Sequence, residues 1–218
     1  MKFEHVYFIN GTAYAGKSTL VKRLAEKHNG IACEENYHNA LLPELDSGEF
    51  PYVTYTRDLQ DWHDFVRRTP DEYEAWIKGA SKESEILELR ILEKLHTQGR
   101  PVFVDTNVSI ETLRKVSDRD HVLIMLADPD ISVNLFFNRP DREKQFLYRL
   151  LMEEENPERA LENFRQCLAR INSTENYNTF LNSGFRVILR DENRSIEETV
   201  SMAEAELGLN TRCWGSES

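Results

Sequence analysis

The chain has 218 residues, 40% hydrophobic and 30% charged, enough for one sizeable core with a small inserted subdomain. Its 27 Lys and Arg stand against 38 Asp and Glu, a formal charge of −11, so its overall field repels nucleic acid and anionic membrane and neither is expected as a partner. Three widely spaced cysteines (Cys33, Cys167, Cys213) without a CxxC pair, a start that runs directly into a strand-like segment without a signal peptide, and the lack of an apolar stretch near the ~18 residues of a membrane span together lead us to expect a soluble cytoplasmic protein.

Val6-Tyr7-Phe8-Ile9 reads as a buried strand ending at Asn10-Gly11. From Lys17 the period changes, with Leu20, Val21, Leu24 and His28 on one helical face, and Asn29-Gly30 ends that helix. Ile31-Ala32-Cys33 is a second strand. Residues 36–98 are too long for a simple crossover and read as a helical insertion: a loop from Tyr37 to Tyr55, then helices over 57–69 and 71–97 divided at Thr69-Pro70. Pro101 to Asp105 is a third strand, and Ser109 caps a short helix to Val116. His121 to Leu126 is a fourth strand, and Asp130 is expected to cap a helix from Ile131 to about Asn138. A segment over 138–155, with helical Phe146, Leu147, Leu150 and Leu151, ends at Asn156-Pro157. A helix with Leu161, Phe164, Leu168 and Ile171 follows. Phe185 to Leu189 is the fifth strand, and Ser195 with Glu198 forms a capping box for a last helix whose Ile196, Val200, Ala203 and Leu207 should face inward. Strands alternating with helices predict a single α/β domain with a parallel sheet covered on both faces, its ligands at the carboxyl ends of the strands.

One of those ends carries Gly11-Thr12-Ala13-Tyr14-Ala15-Gly16-Lys17-Ser18, the P-loop pattern GxxxxGK[ST], followed by Thr19. Its glycines let the backbone turn N–H groups toward phosphate oxygens, and the helix that follows presents its positive end to the same phosphates. Lys17 is placed to reach the β- and γ-phosphates of ATP, and the Ser18 hydroxyl to ligate Mg²⁺. Asp105, ending an apolar strand, is the expected second Mg²⁺-organising carboxylate. Glu34 and Glu35 follow the second strand, and one of them can accept the proton of an incoming hydroxyl; Glu34, nearer the strand end, is the first choice. Arg139 and Arg142 are expected on a lid that brings positive charge to the transferring group. In the insertion, Arg57, Trp62, Arg67, Arg68 and Trp76 mix cations with aromatics, and Tyr37 and His38 follow the acidic pair; all are candidate substrate contacts, against a structural role.

This arrangement resembles the small P-loop kinases of the nucleoside monophosphate kinase and shikimate kinase group, over about residues 5–207. The resemblance implies a five-stranded parallel sheet of order 2-3-1-4-5, a substrate-binding insertion, a closing lid, and an adenine beside the loop Asp191–Ser195. Ala13-Tyr14-Ala15 stands where adenylate kinases carry an extra Gly, Asp105-Thr106-Asn107 where they have Asp-Gly-Phe-Pro, and the Glu-Arg-Ser run of deoxynucleoside kinases is missing. The acceptor therefore stays open between a small molecule and a nucleotide. The expected function is ATP-dependent phosphoryl transfer. The alternative is a nucleotide-dependent regulatory ATPase acting on a protein partner, and no Asn-Lys-x-Asp run points to guanine.

Overall fold

The apolar runs rich in Val, Ile, Leu and Phe form strands because such residues suit a sheet buried on both faces. A computed structural model, which describes residues 2–138 and 142–211, contains β1 (Val6–Gly11), β2 (Ile31–Cys33), β3 (Val102–Asp105), β4 (Val122–Leu126) and β5 (Arg186–Leu189). They form one all-parallel sheet of order β2-β3-β1-β4-β5, as expected. The register sets Ile9 opposite Asp105 and Gly11 opposite Met125, so β1 delivers the chain between the carboxyl ends of β3 and β4.

Alternation along the strands divides the core. Tyr7 and Ile9 face α1 (Lys17–Lys27), which contributes Leu20, Val21 and Leu24, and on the same side lies the last helix, which contributes Val200, Ala203 and Leu207. Phe8 and Val104 face the other side, against Leu92, Leu113 and Phe180. The insertion begins with a 3-10 helix, Tyr37–Glu44. The helix expected over 57–69 is instead two single turns, α2 (Tyr55–Asp58) and α3 (His63–Val66). Asp58 is taken up by Arg57 and Ser47, and the Asp61 side chain accepts the His63 N–H at 2.9 Å, so local carboxylates compete with a continuous helix. Then α4 (Pro70–Leu95) runs unbroken from a Thr69–Glu72 capping box with Pro70 in its first turn.

After β3 comes α5 (Ile110–Val116), capped by Ser109 as expected. The helix after β4, α6 (Pro129–Leu135), is capped by Asp128 rather than Asp130, because Pro129 takes the first helical position and the Asp128 carboxylate accepts the Asp130 N–H. Next come α7 (Arg142–Glu153) and α8 (Pro157–Ile171), divided by Asn156 and Pro157. A further helix, α9 (Thr174–Leu181), capped by Ser173, was not expected. The chain closes with α10 (Ile196–Glu206), whose Ser195–Glu198 capping box is present; Ile196, however, is exposed at the helix start rather than facing inward. No helix among the described residues is long and apolar enough to cross a membrane.

The insertion and the segment after β4 do not stand apart. Phe65, Val66 and Tyr73 of the insertion share one apolar cluster with Leu150 and Leu151 of α7 and Phe164, Cys167 and Leu168 of α8. Polar groups tie the same seam. The Asn163 amide donates to the Arg68 carbonyl at 2.8 Å, Arg170 pairs with Asp71 and Glu74, and Glu154 receives both Arg67 (2.9 Å) and His63 Nδ1 (2.6 Å). These helices form a cap in which the insertion and the segment after β4 are one packed body.

The Arg67 hydrogen bond, with help from His63, holds the Glu154 carboxyl below its usual value of 4.5 despite some burial. A depressed carboxyl stabilises the fold above its unfolded value and loses that contribution as pH falls through the folded one. Glu154→Gln should therefore lower the urea midpoint at neutral pH, and its gap from wild type should close as pH falls below 4.5. A gap that does not change with pH would mean that Glu154 acts by packing rather than by charge.

Candidate functional site

Gly11 leaves β1 with φ +128, and a Cβ there would meet the Met125 carbonyl oxygen at 1.9 Å, so only glycine fits. The next residues are fastened to β4: Thr12 N donates to the Met125 carbonyl at 3.0 Å, and Thr12 Oγ1 accepts the Ala127 N–H at 2.7 Å. Ser132 of α6 donates to the Ala13 carbonyl at 3.3 Å. Tyr14 holds the left-handed φ of +65, a strained position for a residue with a side chain. Three elements hold it there: its hydroxyl donates to the Leu135 carbonyl at 3.1 Å, Arg190 at the end of β5 donates to its carbonyl, and Lys144 of α7 lies 5.6 Å from its ring centroid. Ala15 is buried beneath the loop. Gly16, at φ +92, precedes α1 and provides no side-chain cap, so the N–H groups of the first helical turn are left for another partner.

Within this loop Lys17 Nζ donates to the Thr12 carbonyl at 3.1 Å and lies 3.8 Å from Asp105 Oδ1. Ser18 Oγ donates to Asp105 Oδ2 at 2.7 Å. Thr19 follows in the first turn of α1. Lysine, hydroxyl and carboxylate, distant in sequence, thus converge where β1 and β3 end side by side. Among the described residues no group of three or more His, Cys, Asp or Glu is placed to hold a metal ion. A hydroxyl and a carboxylate are hard oxygen donors, which suit Mg²⁺ when phosphate and water complete its shell.

The two glutamates after β2 diverge. Glu34 forms an exposed ion pair with Lys22 of α1 at 2.9 Å, whereas the charge of Glu35 reaches Asp105. Arg142 begins α7 and is exposed, and Arg139 lies outside the described residues. The insertion arginines are engaged in structure. Arg57 binds the Leu45 carbonyl (2.9 Å) and Asp58 (2.6 Å), Arg67 binds Glu154, and the Arg68 guanidinium rests 4.0 Å from the Tyr55 ring centroid. Trp62 packs edge-on against Phe146, and Trp76 donates to the Tyr52 carbonyl at 3.0 Å.

Sequence reasoning missed Glu88. This α4 residue is fully buried beside the site, and its carboxylate accepts from Thr106 Oγ1 (2.6 Å), Asn107 N (3.0 Å) and Asn107 Nδ2 (3.0 Å). His38 Nδ1 lies 3.3 Å from it, and His38 Nε2 meets Ser84 Oγ at 3.1 Å. Glu88 so fixes the residues after Asp105 and joins them to the segment after Glu35. Its signal was its position: Ser84, Glu88 and Leu92 form one buried row at four-residue spacing. Burial and then the Glu88 charge push the Cys33 thiol up to about 12, so Cys33 is no nucleophile at neutral pH.

No family model and no curated protein matches this chain.

Burial raises the Asp105 carboxyl above its usual 3.8; Lys17 and the Ser18 hydroxyl pull it back, and the charges of Glu35 and Glu88 add to the rise. A carboxyl whose folded value is raised destabilises the fold progressively as pH climbs from its unfolded value through the folded one. Asp105→Asn should therefore raise the stability of the ligand-free protein at neutral pH, by about 1 kcal/mol, with no gain below pH 3.8. Urea unfolding across pH checks this. A loss at every pH would show that the ionised carboxylate holds the fold together.

Proposed function

We propose that this chain is an ATP-dependent phosphotransferase acting on a small molecule. The observation that carries this reading is the convergence of Lys17 and Ser18 on Asp105 at an uncapped helix N-terminus. Such a site offers what a phosphate chain needs: turned backbone N–H groups, a helix dipole and a lysine. Lys17 would exchange the neutral Thr12 carbonyl for phosphate oxygens, replacing a bond of about 0.5–1.5 kcal/mol by charge-assisted ones of about 1.5–3 kcal/mol. Ser18 and Asp105 would hold Mg²⁺, Ser18 directly and Asp105 through water. Bound there, Mg²⁺ neutralises charge on the phosphate oxygens. The polypeptide fold supports the same reading, because β1 and β3 end side by side at the carboxyl edge of a doubly covered parallel sheet, where ligands of such sheets sit.

In the transfer step the acceptor oxygen forms a bond to the γ-phosphorus while the bond to the β–γ bridging oxygen breaks. ADP leaves with that oxygen, and the acceptor's proton passes to Glu35. Glu35 is preferred because it acts on Asp105 electrostatically, whereas Glu34 is bound to Lys22. Arg190, anchored to the loop at Tyr14, stands at the start of the Asp191–Ser195 turn and suits the nucleoside side of the site. Arg142, exposed at the start of α7, belongs to the closing side, and since the cap shares one core, closure would carry insertion and lid together.

Lys17→Ala should weaken Mg-ATP binding tenfold or more, about 1.5–3 kcal/mol, with the fold intact. Glu35→Gln should lower transfer about a hundredfold at retained ATP affinity, and Glu34→Gln should leave it near wild type. Calorimetric titration and ADP release measure both effects. Undiminished ATP affinity in Lys17→Ala removes the nucleotide site, and normal transfer in Glu35→Gln removes the base.

A further inference from the structure

We propose, resting on the phosphotransferase reading, that the acceptor is an uncharged, hydroxyl-bearing small molecule bound in the cavity between the ends of β1 and β3 and helices α4 and α9. This cavity, about 530 Å³, is bordered by Asn10, Gly11, Ser81, Asn107, Ser109 and Phe180. Its size is that of a small-molecule site. Its position is set by two neighbours: Gly11 opens the loop that carries Lys17 and Ser18, and Asn107 comes two residues after Asp105.

The lining decides the chemistry. Its uncharged polar groups are amides and hydroxyls, including those of Asn10, Ser81, Asn107 and Ser109, set among the apolar Val108, Ile110 and Phe180. Two charged residues of opposite sign also line it, Glu111, which pairs with Lys115 at 2.7 Å, and Arg114, which donates to the Ser183 carbonyl at 2.8 Å, so the lining carries no net positive charge. A phosphate- or carboxylate-bearing acceptor needs cations committed to it. Arg57 is bound to Asp58 and Arg67 to Glu154, while Arg68 lies over the Tyr55 ring with its buried Nη1 unpartnered. The groove that Arg67 and Arg68 border with Trp76 lies along α4 about 18 Å from Glu88, too far from Asp105 for a reacting group. The net charge of −11 opposes an anionic acceptor as well.

Asn107 is the specificity determinant of this cavity. Asn107 Nδ2 donates to Glu88 Oε1 at 3.0 Å, which fixes the amide with its nitrogen toward Glu88. The amide oxygen is then the group left to receive a hydrogen bond, and a ligand O–H is its complement. Glu88 is fully buried and is also held by Thr106, so the amide cannot readily turn over to favour a ligand that presents an acceptor instead.

The test begins with titration of Mg-ATP into the intact chain, then measures ADP release with two panels: ribose, myo-inositol and uridine, and glycerate, glycerol phosphate and uridine monophosphate. Expected is stimulation of about tenfold or more by a member of the uncharged panel. Asn107→Ala should raise the KM of that acceptor about tenfold with a smaller effect on kcat, the loss of roughly one hydrogen bond. Ser81→Trp, filling the cavity from an exposed helix position, should abolish the stimulation. If Mg-ATP does not bind, the phosphotransferase reading fails and this site with it. If it binds and only charged acceptors respond, or none does, or both variants keep the wild-type KM, the cavity assignment alone is overturned.

Discussion

The hydrogen bond from Ser18 to Asp105, with Lys17 beside it, joins the first turn of α1 to the end of β3. It can form only because β1 and β3 are neighbours in register, with Ile9 opposite Asp105, and because Gly11 passes close enough to Met125 for the chain to turn back over the strand ends. Asn10 braces the same exit, its amide donating to the Val108 carbonyl at 2.7 Å while its oxygen accepts the Gly11 N–H. Around this point a carboxylate is buried at a cost to the fold. Asp105 is raised mainly by burial, and a second carboxylate, Glu88, lies wholly inside the protein next to it. Packing alone would favour apolar residues at both places. Two carboxylates buried at a cost to the fold are what the proposed phosphate and metal site would account for.

The rest of the chain positions this point. On one face of the sheet α1 and α10 pack tightly; on the other, α4, α5 and α9 leave the polar cavity open beside Asn107. Above the sheet edge, α4 continues into the cap, where it meets α7 and α8. Because one helix carries both Glu88 and the cap's aromatic core, a movement of the cap is mechanically linked to the segment that follows Asp105. Tyr14 makes a second link. Its strained backbone is held by α6 and Arg190, with Lys144 of the cap over its ring, so the loop and the cap meet there too.

The strands, their parallel pairing and the Gly11–Ser18 loop were legible because each depends on local pattern: apolar runs, glycines at a turn, an amphipathic stripe after Lys17. The sheet order came from the resemblance alone, since strand order is a property of packing. What sequence did not reveal depends on tertiary contact. The Glu34–Lys22 pair, the ground for proposing Glu35 as the base, is a contact between residues on separate elements. Arg57, Trp62, Arg67, Arg68 and Trp76 read as candidate substrate contacts, but the carboxylate that holds Arg67, Glu154, lies far along the chain. Helix α9 carries the signal of a Ser173 cap, but few buried side chains, so its periodicity was weak. Glu88 could have been suspected as an acid inside an apolar helical row, although its partners Thr106 and Asn107 could not.

A crystal structure of the chain with Mg²⁺ and a non-hydrolysable ATP analogue tests most directly whether Lys17, Ser18 and Asp105 form the proposed nucleotide-phosphate and metal site. Expected are phosphates within the Gly11–Ser18 loop, Lys17 Nζ moved from the Thr12 carbonyl to phosphate oxygen, and Ser18 Oγ turned from Asp105 to the metal. An analogue bound elsewhere, or bound with Lys17 still on Thr12 and Ser18 still on Asp105, would contradict the proposal.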